Sequence, residues 1–289
     1  MDKMCQLTAT YTDAKTGKVL TESKQLKYVL TPPAPATPRF NGAPVWGVRP
    51  GSPVIYRFPV SGERPMKFTC ANLPAGLQLT ESDGVLSGKI DRAGDLTFTV
   101  TAENAKGKAS QTFTLKVGDN MIGQTPPMGW NDPDMLVVGK VGYGLGENTT
   151  GLRETRLTPD EQYTHITLWT IVSSNMLIGC DIAQMDDFTL SLLCNNEVNA
   201  INQDILGKQA DRVLKEGDIE VWSRPLADGA IAVGIFNVGD TDQQVDMKAL
   251  IPAKEPAKTI RDLWRQKDLS PSELNCTIPL HGCRYLKVF

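Results

Sequence analysis

The hydrophobic pattern of the chain switches between strand-like and helix-like spacing. Residues 39–118 carry short runs in which every second residue is apolar, such as 54–58 and 96–101. A period of two is typical of strands that bury one face. The same pattern returns beyond residue 215, at 220–224, 230–237, 259–264 and 284–289. Helical spacing is confined to the stretch between these two parts, which predicts a multidomain, mostly β protein with a short α/β part.

The first 38 residues divide into two unlike pieces. Residues 1–31 alternate apolar and polar side chains on both sides of a turn at 15–18, which predicts a β-hairpin. A lone hairpin is marginally stable in water, so we interpret it as the remnant of an upstream domain. Residues 32–38 are rich in proline and predict a semi-rigid linker.

Residues 39–118 are predicted to form a β-sandwich of their own. Turn signals separate the strand-like runs, at 61–65, 82–84 and 104–107. Many short strands at such spacing are typical of a sandwich. The run from 73 to 88 also resembles the Ig-like repeats of bacterial carbohydrate enzymes. That resemblance implies a spacer module, with sugar binding as the alternative.

Residues 120–210 hold the helical part. Thr158-Pro159-Asp160-Glu161 is a capping box with proline at the first helical position, so a helix should begin there and end near 173–175. Its predicted apolar face consists of Ile166, Trp169, Thr170 and Val172. His165 is placed on the opposite side of the helix and is predicted to be a packing or surface histidine.

A short apolar run follows this helix. Residues 176–182 end in Asp181 and predict a buried parallel strand whose carboxyl end opens onto a site. Asp186 or Asp187 then caps another helix. Helix, strand and helix in this order predict the last portion of a (β/α)₈ barrel. A whole barrel needs about 250 residues, so this one is partial. An antiparallel β-sandwich is expected at 215–289.

Composition and charge exclude several classes of function. The chain has 289 residues, 33 of them acidic and 30 basic, so that its net charge is −3. We therefore expect no nucleic acid and no membrane as partners. Two histidines and the lack of any Cys-x-x-Cys predict no metal site and no cofactor. Cys276 and Cys283 are left open between a disulfide and two thiols. The first six residues carry a charge but no apolar region, so we expect no secretory signal in this sequence, which leaves the location undetermined.

Several motifs carry a family resemblance over residues 124–289. Pro126-Pro127-Met128-Gly129-Trp130-Asn131 resembles the opening of the catalytic barrel in the alpha-galactosidase (melibiase) family. The overlapping Trp130-Asn131-Asp132-Pro133-Asp134-Met135-Leu136 resembles the seventh strand and loop of the same barrel. Three further motifs follow in family order, at 157–163, 178–181 and 197–204. The first two motifs share one Gly-Trp-Asn, so the chain is expected to be a family member that has lost the middle of its barrel.

The resemblance implies a retaining glycoside hydrolase, in which two carboxylates about 5–5.5 Å apart act as nucleophile and acid/base. The stretch between Gly129 and Asp132 leaves no room for either of the family's catalytic aspartates. We therefore predict no catalytic residue and an inactive chain. Four residues match sugar-binding or neighbouring positions of the family: Asp132, Asp134, Met135 and Asp181.

Three hypotheses remain open at this point. The chain is an inactive relative of enzymes that cleave terminal alpha-galactose, a non-catalytic protein that binds glycans or a partner through its β-domains, or an enzyme that uses other residues. A galactose-containing glycan is the partner that the family implies, and self-association through the open barrel is expected. For the parent family a periplasmic or extracellular location is expected.

Overall fold

The chain divides into two units, each with its own hydrophobic core. The computed structural model describes residues 6–118, 136–142, 151–252 and 259–289. One unit contains the described residues of 6–32, 136–202 and 206–289, and the other contains 33–118 and 203–205. Within the described part of the chain, no helix has the length and apolar character needed to cross a membrane.

The N-terminal residues form the predicted hairpin. β1 (Gln6–Thr12) pairs with β2 (Val19–Gln25) in antiparallel register. Asp13 closes the turn, because its carboxylate accepts hydrogen bonds from the backbone N–H groups of Lys15 and Thr16 at 2.8 and 3.0 Å. The side chains of β2 are almost all exposed, so this hairpin contributes little to either core.

Residues 39–118 form the Ig-like β-sandwich that their pattern predicts. The long strands β10 (Gly94–Asn104) and β11 (Gly107–Val117) join at a turn where Asn104 pairs with Gly107, and β4 (Val45–Val48) pairs in parallel with β11 at one edge. The core contains Phe68, Phe98 and Phe113, all fully buried. The strands of this unit are β3 (Arg39–Phe40), β4 (Val45–Val48), β5 (Pro53–Arg57), β6 (Val60–Ser61), β7 (Lys67–Cys70), β8 (Leu77–Leu79), β9 (Val85–Lys89), β10 (Gly94–Asn104) and β11 (Gly107–Val117).

Part of the proline-rich segment belongs to this sandwich. The carbonyl oxygen of Ala36 accepts hydrogen bonds from Glu63 N and from the Asn104 amide, both at 2.9 Å. Pro38 is buried. The stiff segment at 32–38 is therefore anchored to the β-sandwich at its end.

The other unit combines three helices of the partial barrel with the C-terminal sandwich. Its remaining elements are β12 (Lys140–Val141), β13 (Arg153–Glu154), α1 (Pro159–Ile171), α2 (Asp187–Leu193), α3 (Asn196–Asn202), β14 (Asp211–Glu216), β15 (Ile219–Pro225), β16 (Ile231–Asn237), β17 (Gln243–Asp246), α4 (Met247–Leu250), β18 (Ile260–Asp262), β19 (Lys267–Asp268), β20 (Asn275–Ile278) and β21 (Cys283–Val288). The large sheet has the order β14-β15-β16-β21-β18-β19, and β17 pairs with β20.

Helix α1 begins at the predicted capping box. Thr158 Oγ1 accepts a hydrogen bond from Glu161 N at 3.3 Å, and Glu161 Oε2 accepts one from Thr158 N at 2.7 Å. The helix ends at Ile171, a little before the predicted end. It packs against β16 and β21. The indole of Trp264, just after β18, donates a hydrogen bond to Thr167 Oγ1 of the helix at 2.9 Å. Of the predicted apolar face, Ile166 and Thr170 are buried, whereas Trp169 and Val172 are half-buried.

Residues 25–31, which we call the N-terminal strap, cross the first turns of α1. The Tyr28 ring packs against the Tyr163 ring in a tilted arrangement with centroids 5.5 Å apart, and the Tyr28 hydroxyl donates to the buried carboxylate of Asp160. Tyr163 Oη in turn donates to the Tyr28 carbonyl at 2.9 Å and accepts from Leu30 N at 3.0 Å. The strap thus covers the Tyr163 side chain and the buried carboxylate of Asp160 at the start of α1.

We expect the contacts of the strap to contribute several kcal/mol to the free energy of unfolding of this unit. Tyr28→Ala removes ring packing and leaves Asp160 without its hydroxyl donor, so the free energy of unfolding should fall by about 2–4 kcal/mol. Tyr28→Phe removes only the donor and should cost about 1–2 kcal/mol. Urea denaturation monitored by tryptophan fluorescence measures both. Tyr11→Ala is the matched control, since Tyr11 is 64% exposed on the hairpin; an equal effect of Tyr11→Ala and Tyr28→Ala would contradict the assignment.

Candidate functional site

Two segments of the partial barrel, 136–142 (the first segment) and 176–182 (the second segment), lie side by side in parallel. Leu136 forms a parallel bridge with Ile178, and Leu136 N donates to the Leu177 carbonyl at 2.9 Å. Further along, Asp181 N donates to the Lys140 carbonyl at 2.9 Å. The carboxyl ends of both segments therefore lie next to each other, as the carboxyl ends of neighbouring strands do in a (β/α) barrel.

The prediction of a fully buried strand at 176–182 is wrong. The segment makes only one isolated bridge, and the side chains of Leu177 and Ile178 are 50% and 49% exposed. An apolar run is buried on both faces only when strands and helices cover it. Within the described residues this run has one strand neighbour, which explains the exposure.

Asp181 lies at the end of the second segment, as the sequence predicts. Its Oδ1 accepts a hydrogen bond from Ala183 N at 2.9 Å, and its Oδ2 accepts one from the Gln184 amide at 3.3 Å. It thereby caps the single 3₁₀ turn Ile182–Gln184. Both oxygens have local partners, and the role of Asp181 toward a sugar stays a prediction. Asp132, Asp134 and Met135 lie outside the described residues.

A cleft opens beside the ends of these two segments. Its volume is ≈ 320 Å³. Its lining comes from the strap, the two segments, β13 and the start of α2, and consists of Lys27, Gly139, Lys140, Glu154, Gln184, Met185, Asp186 and Thr189. Polar groups from four separate parts of the chain thus converge at the carboxyl ends of the strands, which is where (β/α) barrels have their active sites.

Lys27 joins two carboxylates across this cleft. Its Nζ lies 2.9 Å from Glu154 Oε2 and 2.6 Å from Asp186 Oδ2. Burial alone would raise the pKa of Asp186, but hydrogen bonds from Lys27 and from Thr189 N hold that pKa below its usual value. Burial alone would lower the pKa of Lys27, and the two carboxylates raise it instead. Lys27 and Asp186 are therefore both charged at neutral pH.

Gly139 sets the distance between the first segment and helix α2. Its φ is +66°, and a Cβ atom there would lie 2.6 Å from Thr189 Oγ1. Only glycine combines that backbone conformation with such a close approach. Asp186 begins α2 beside it, because its Oδ1 accepts from Thr189 N at 2.8 Å, which confirms the predicted cap.

The predicted position of His165 is wrong, because it lies on the same side of α1 as Trp169. The two ring centroids are 4.3 Å apart, and His165 Nε2 accepts a hydrogen bond from Val137 N at 3.3 Å. Residues four apart on a helix share a face, which the sequence assignment overlooked. The histidine packs between α1 and the first barrel segment.

Metal ligands and disulfides are not found in the described residues. No group of three or more His, Cys, Asp or Glu side chains converges there as a metal site would require. Cys276 and Cys283 are both free thiols. The Cys283 thiol lies 3.4 Å from Thr167 Oγ1, and burial raises its pKa to about 11. It is an inert core residue rather than a nucleophile.

Sequence reasoning missed the cleft as a whole, because none of its eight lining residues was predicted as a site residue, including the ion-paired Lys27, Glu154 and Asp186. Lys27 lies 127 residues from Glu154 and 159 from Asp186 along the chain. Nothing local to Lys27 marks it as part of a site. The only available signal was Asp186, which the sequence identified as a helix cap.

The fold and the cleft together define the end of a (β/α) barrel joined to a C-terminal β-sandwich. Three family models match the chain: "Alpha galactosidase A" at residues 105–204, "Alpha galactosidase C-terminal beta sandwich domain" at 216–288 and "Putative Ig domain" at 19–118. The chain belongs to the alpha-galactosidase family, as a member with a truncated barrel.

Individual relatives agree with this assignment. Alpha-galactosidase 2 of Arabidopsis thaliana is 32% identical over 198 residues, 66% of this chain and 46% of that protein. The alpha-galactosidase of Cyamopsis tetragonoloba is 36% identical over 162 residues, 55% of this chain and 36% of that protein. The chain thus spans less than half the length of these relatives.

A solved structure shares the fold over most of the chain. It is a "putative alpha-galactosidase" from Bacteroides fragilis, with a TM-score of 0.72 and 19% identity, covering 88% of this chain and 98% of that one. At that identity the likeness concerns the fold alone. The predicted fold class, an Ig-like sandwich, a partial barrel and a C-terminal sandwich, is confirmed.

The buried carboxyl group of Asp160 should make the stability of this unit depend on pH. Burial raises its pKa, although Tyr28 and Gln25 donate hydrogen bonds to it. The folded state then holds this proton more tightly than the unfolded state, so its contribution to stability falls as the pH rises from the ordinary value of 3.8 through the raised folded value. Asp160→Asn should therefore gain on the order of 1 kcal/mol relative to the natural chain over that range. Urea denaturation at a series of pH values checks this, and parallel curves for the two proteins would contradict it.

Proposed function

We propose that this chain is a member of the alpha-galactosidase family that does not hydrolyse terminal alpha-galactosides. The family's two catalytic aspartates have no matching position between Gly129 and Asp132. Retaining hydrolysis needs one carboxylate to attack the anomeric carbon and another to protonate the leaving oxygen. Without both, the chain lacks the two groups that make and break the glycosidic bond.

The observation that supports this proposal is that one lysine bonds to both carboxylates of the cleft. Glu154 and Asp186 are the two acids that face each other there, and the ammonium group of Lys27 bonds to both. Lys27 occupies the space where an anomeric carbon would have to lie between nucleophile and acid. The lowered pKa of Asp186 also keeps that acid charged, so it offers no proton to a departing oxygen. This pair therefore does not replace the missing dyad.

The sugar-binding positions implied by the family stay part of the proposal. In a complete barrel Asp134 would accept hydrogen bonds from galactose hydroxyls, with Asp132, Met135 and Asp181 near it. A galactose-containing glycan is accordingly the substrate class that we assign to a complete parent enzyme.

The full chain should release no p-nitrophenol from p-nitrophenyl alpha-D-galactopyranoside above the buffer rate. Enzymes typically accelerate such reactions by about 10⁶-fold or more, and most of that depends on the two carboxylates. Lys27→Met is the informative companion, because it frees Glu154 and Asp186 from their shared cation. We expect it to be inactive as well. Turnover on the order of one per second by either protein would overturn the proposal.

We also propose that two copies of the chain associate through the exposed segment at 176–182. Leu177 and Ile178 are 50% and 49% exposed beside the parallel bridge, and Ile182, at the start of the 3₁₀ turn that follows, is 69% exposed. An open strand with apolar side chains pairs readily with another strand of the same kind. A second copy presents such a strand at equal concentration.

Light scattering after gel filtration should therefore show a mass that increases with protein concentration. Ile178→Lys should keep the chain monomeric, because a charge in the contact would have to be desolvated. Ile55→Lys is the matched control, since Ile55 is 80% exposed in the Ig-like unit. A monomer at every concentration, or equal effects of the two substitutions, would rule out this contact.

A further inference from the structure

We propose that the C-terminal β-sandwich binds a phosphate group in a second cleft, which contains Arg284. This cleft, which we call the arginine cleft, has a volume of ≈ 200 Å³, and its walls come from β18 to β21 and from the start of α4. Pockets for drug-sized ligands begin at about 300 Å³, so the ligand should be smaller than these. Among the described residues, the arginine cleft shares no lining residue with the cleft beside Lys27.

Positive charge exceeds negative charge in the arginine cleft. Three cations, Arg265, Lys267 and Arg284, line it together with the carboxylates of Asp262 and Glu273, which leaves a formal charge of +1 among the described residues. A cleft with an excess of one sign of charge attracts the opposite ion. The ligand should therefore be an anion.

Both carboxylates of the arginine cleft are already bound by groups of the protein. Arg265 Nη1 donates to Asp262 Oδ2 at 2.7 Å, and Arg265 N donates to Asp262 Oδ1 at 2.9 Å. Lys267 Nζ donates to Glu273 Oε1, and a backbone N–H of the same turn donates to Glu273 Oε2 at 2.9 Å. The bond from Lys267 is the main reason that the pKa of Glu273 falls to about 2. Both acids thus have cationic partners other than Arg284.

Arg284 is the cation of this cleft that forms no ion pair in the described part of the chain. Its Nη2 donates to the Thr277 carbonyl oxygen at 3.0 Å. A guanidinium group has five N–H donors, so most of them remain for a ligand. These donors form a planar fork that matches two oxygens of a phosphate or carboxylate group. Arg284 is also half-buried, so salt screens its charge less than it would on the open surface.

Further donors in the cleft favour a phosphate group over a carboxylate. The Ser272 hydroxyl, the Asn275 amide and the Lys267 ammonium line the same cleft as Arg284 and come from three different elements of the chain. A carboxylate presents two oxygens in one plane, which the fork of one arginine satisfies. The tetrahedral oxygens of phosphate accept hydrogen bonds from several sides at once. Donors that surround the ligand therefore fit phosphate better.

Isothermal titration of the full chain with inorganic phosphate tests the site, with the ionic strength held constant by sodium chloride. We expect one saturable site with a Kd on the order of 1 mM, as an open cleft allows for so small a ligand. Methyl phosphate distinguishes the two sources of the group: tighter binding of the ester assigns a phosphate monoester, and tighter binding of the ion assigns free phosphate. Sodium acetate should bind at least about tenfold more weakly than phosphate. The absence of saturable binding, or acetate binding as tight as that of phosphate, would overturn the proposal.

Two substitutions with opposite expected effects locate the phosphate group. Arg284→Gln removes the cation that we assign to the ligand and should weaken binding at least about tenfold. Glu273→Gln raises the formal charge of the cleft from +1 to +2 and frees Lys267, so it should tighten binding about threefold. Glutamine serves as well as glutamate in the capping box of the turn at 270–273, so this variant should fold.

Arg212→Gln is the matched control, because it removes an exposed arginine on β14 that does not line the cleft, and it should leave the Kd unchanged. Equal weakening by Arg212→Gln and Arg284→Gln would indicate unspecific attraction to basic side chains and overturn the assignment. If Arg284→Gln fails to fold, Glu273→Gln still decides the matter, since unchanged or weaker binding in that variant contradicts the proposal. The proposed lack of hydrolysis concerns other residues, so the two proposals can fail separately.

Discussion

Burial of helix α1 is the constraint on which the unit that contains the partial barrel depends. The helix packs on β16 and β21 of the C-terminal sheet, and the strap covers its first turns at Asp160 and Tyr163. A helix of a (β/α) barrel normally packs on the strands of its own barrel. Here the strap and a neighbouring sheet share that task, so the partial barrel and the C-terminal sheet form one common core.

The same constraint explains the polar character of the strap. A segment that covers a helix must satisfy its backbone groups, and here Tyr163 Oη both accepts from Leu30 N and donates to the Tyr28 carbonyl. Thr31 extends the contact through its hydroxyl, which accepts from the Asn195 amide at 3.0 Å. Asn195 is fully buried, and its Oδ1 caps α3 through Val198 N at 3.1 Å. Strap, helices and sheet are therefore connected by one hydrogen-bond network.

Local signals in the sequence predicted local structure well. The capping box fixed the start of α1, and alternation with turn signals predicted both β-sandwiches. The two wrong assignments, the buried strand at 176–182 and the side of His165, concern what each element packs against. The cleft was missed for the same reason, since Lys27 and Glu154 meet only after the chain has folded back. Periodicity reports which face is apolar and says nothing about which distant segment covers it.

The separation of the strap from its binding surface has a consequence for the order of folding. Tyr28 lies 132 residues before Asp160, and Thr31 lies 164 before Asn195. During synthesis from the N-terminus the strap emerges long before the helices that it covers, and the Ig-like unit can fold in the interval. Closing so long a loop costs entropy before any contact is gained. The strap should therefore dock last, which leaves the pocket containing Lys27 as the final part of the molecule to form.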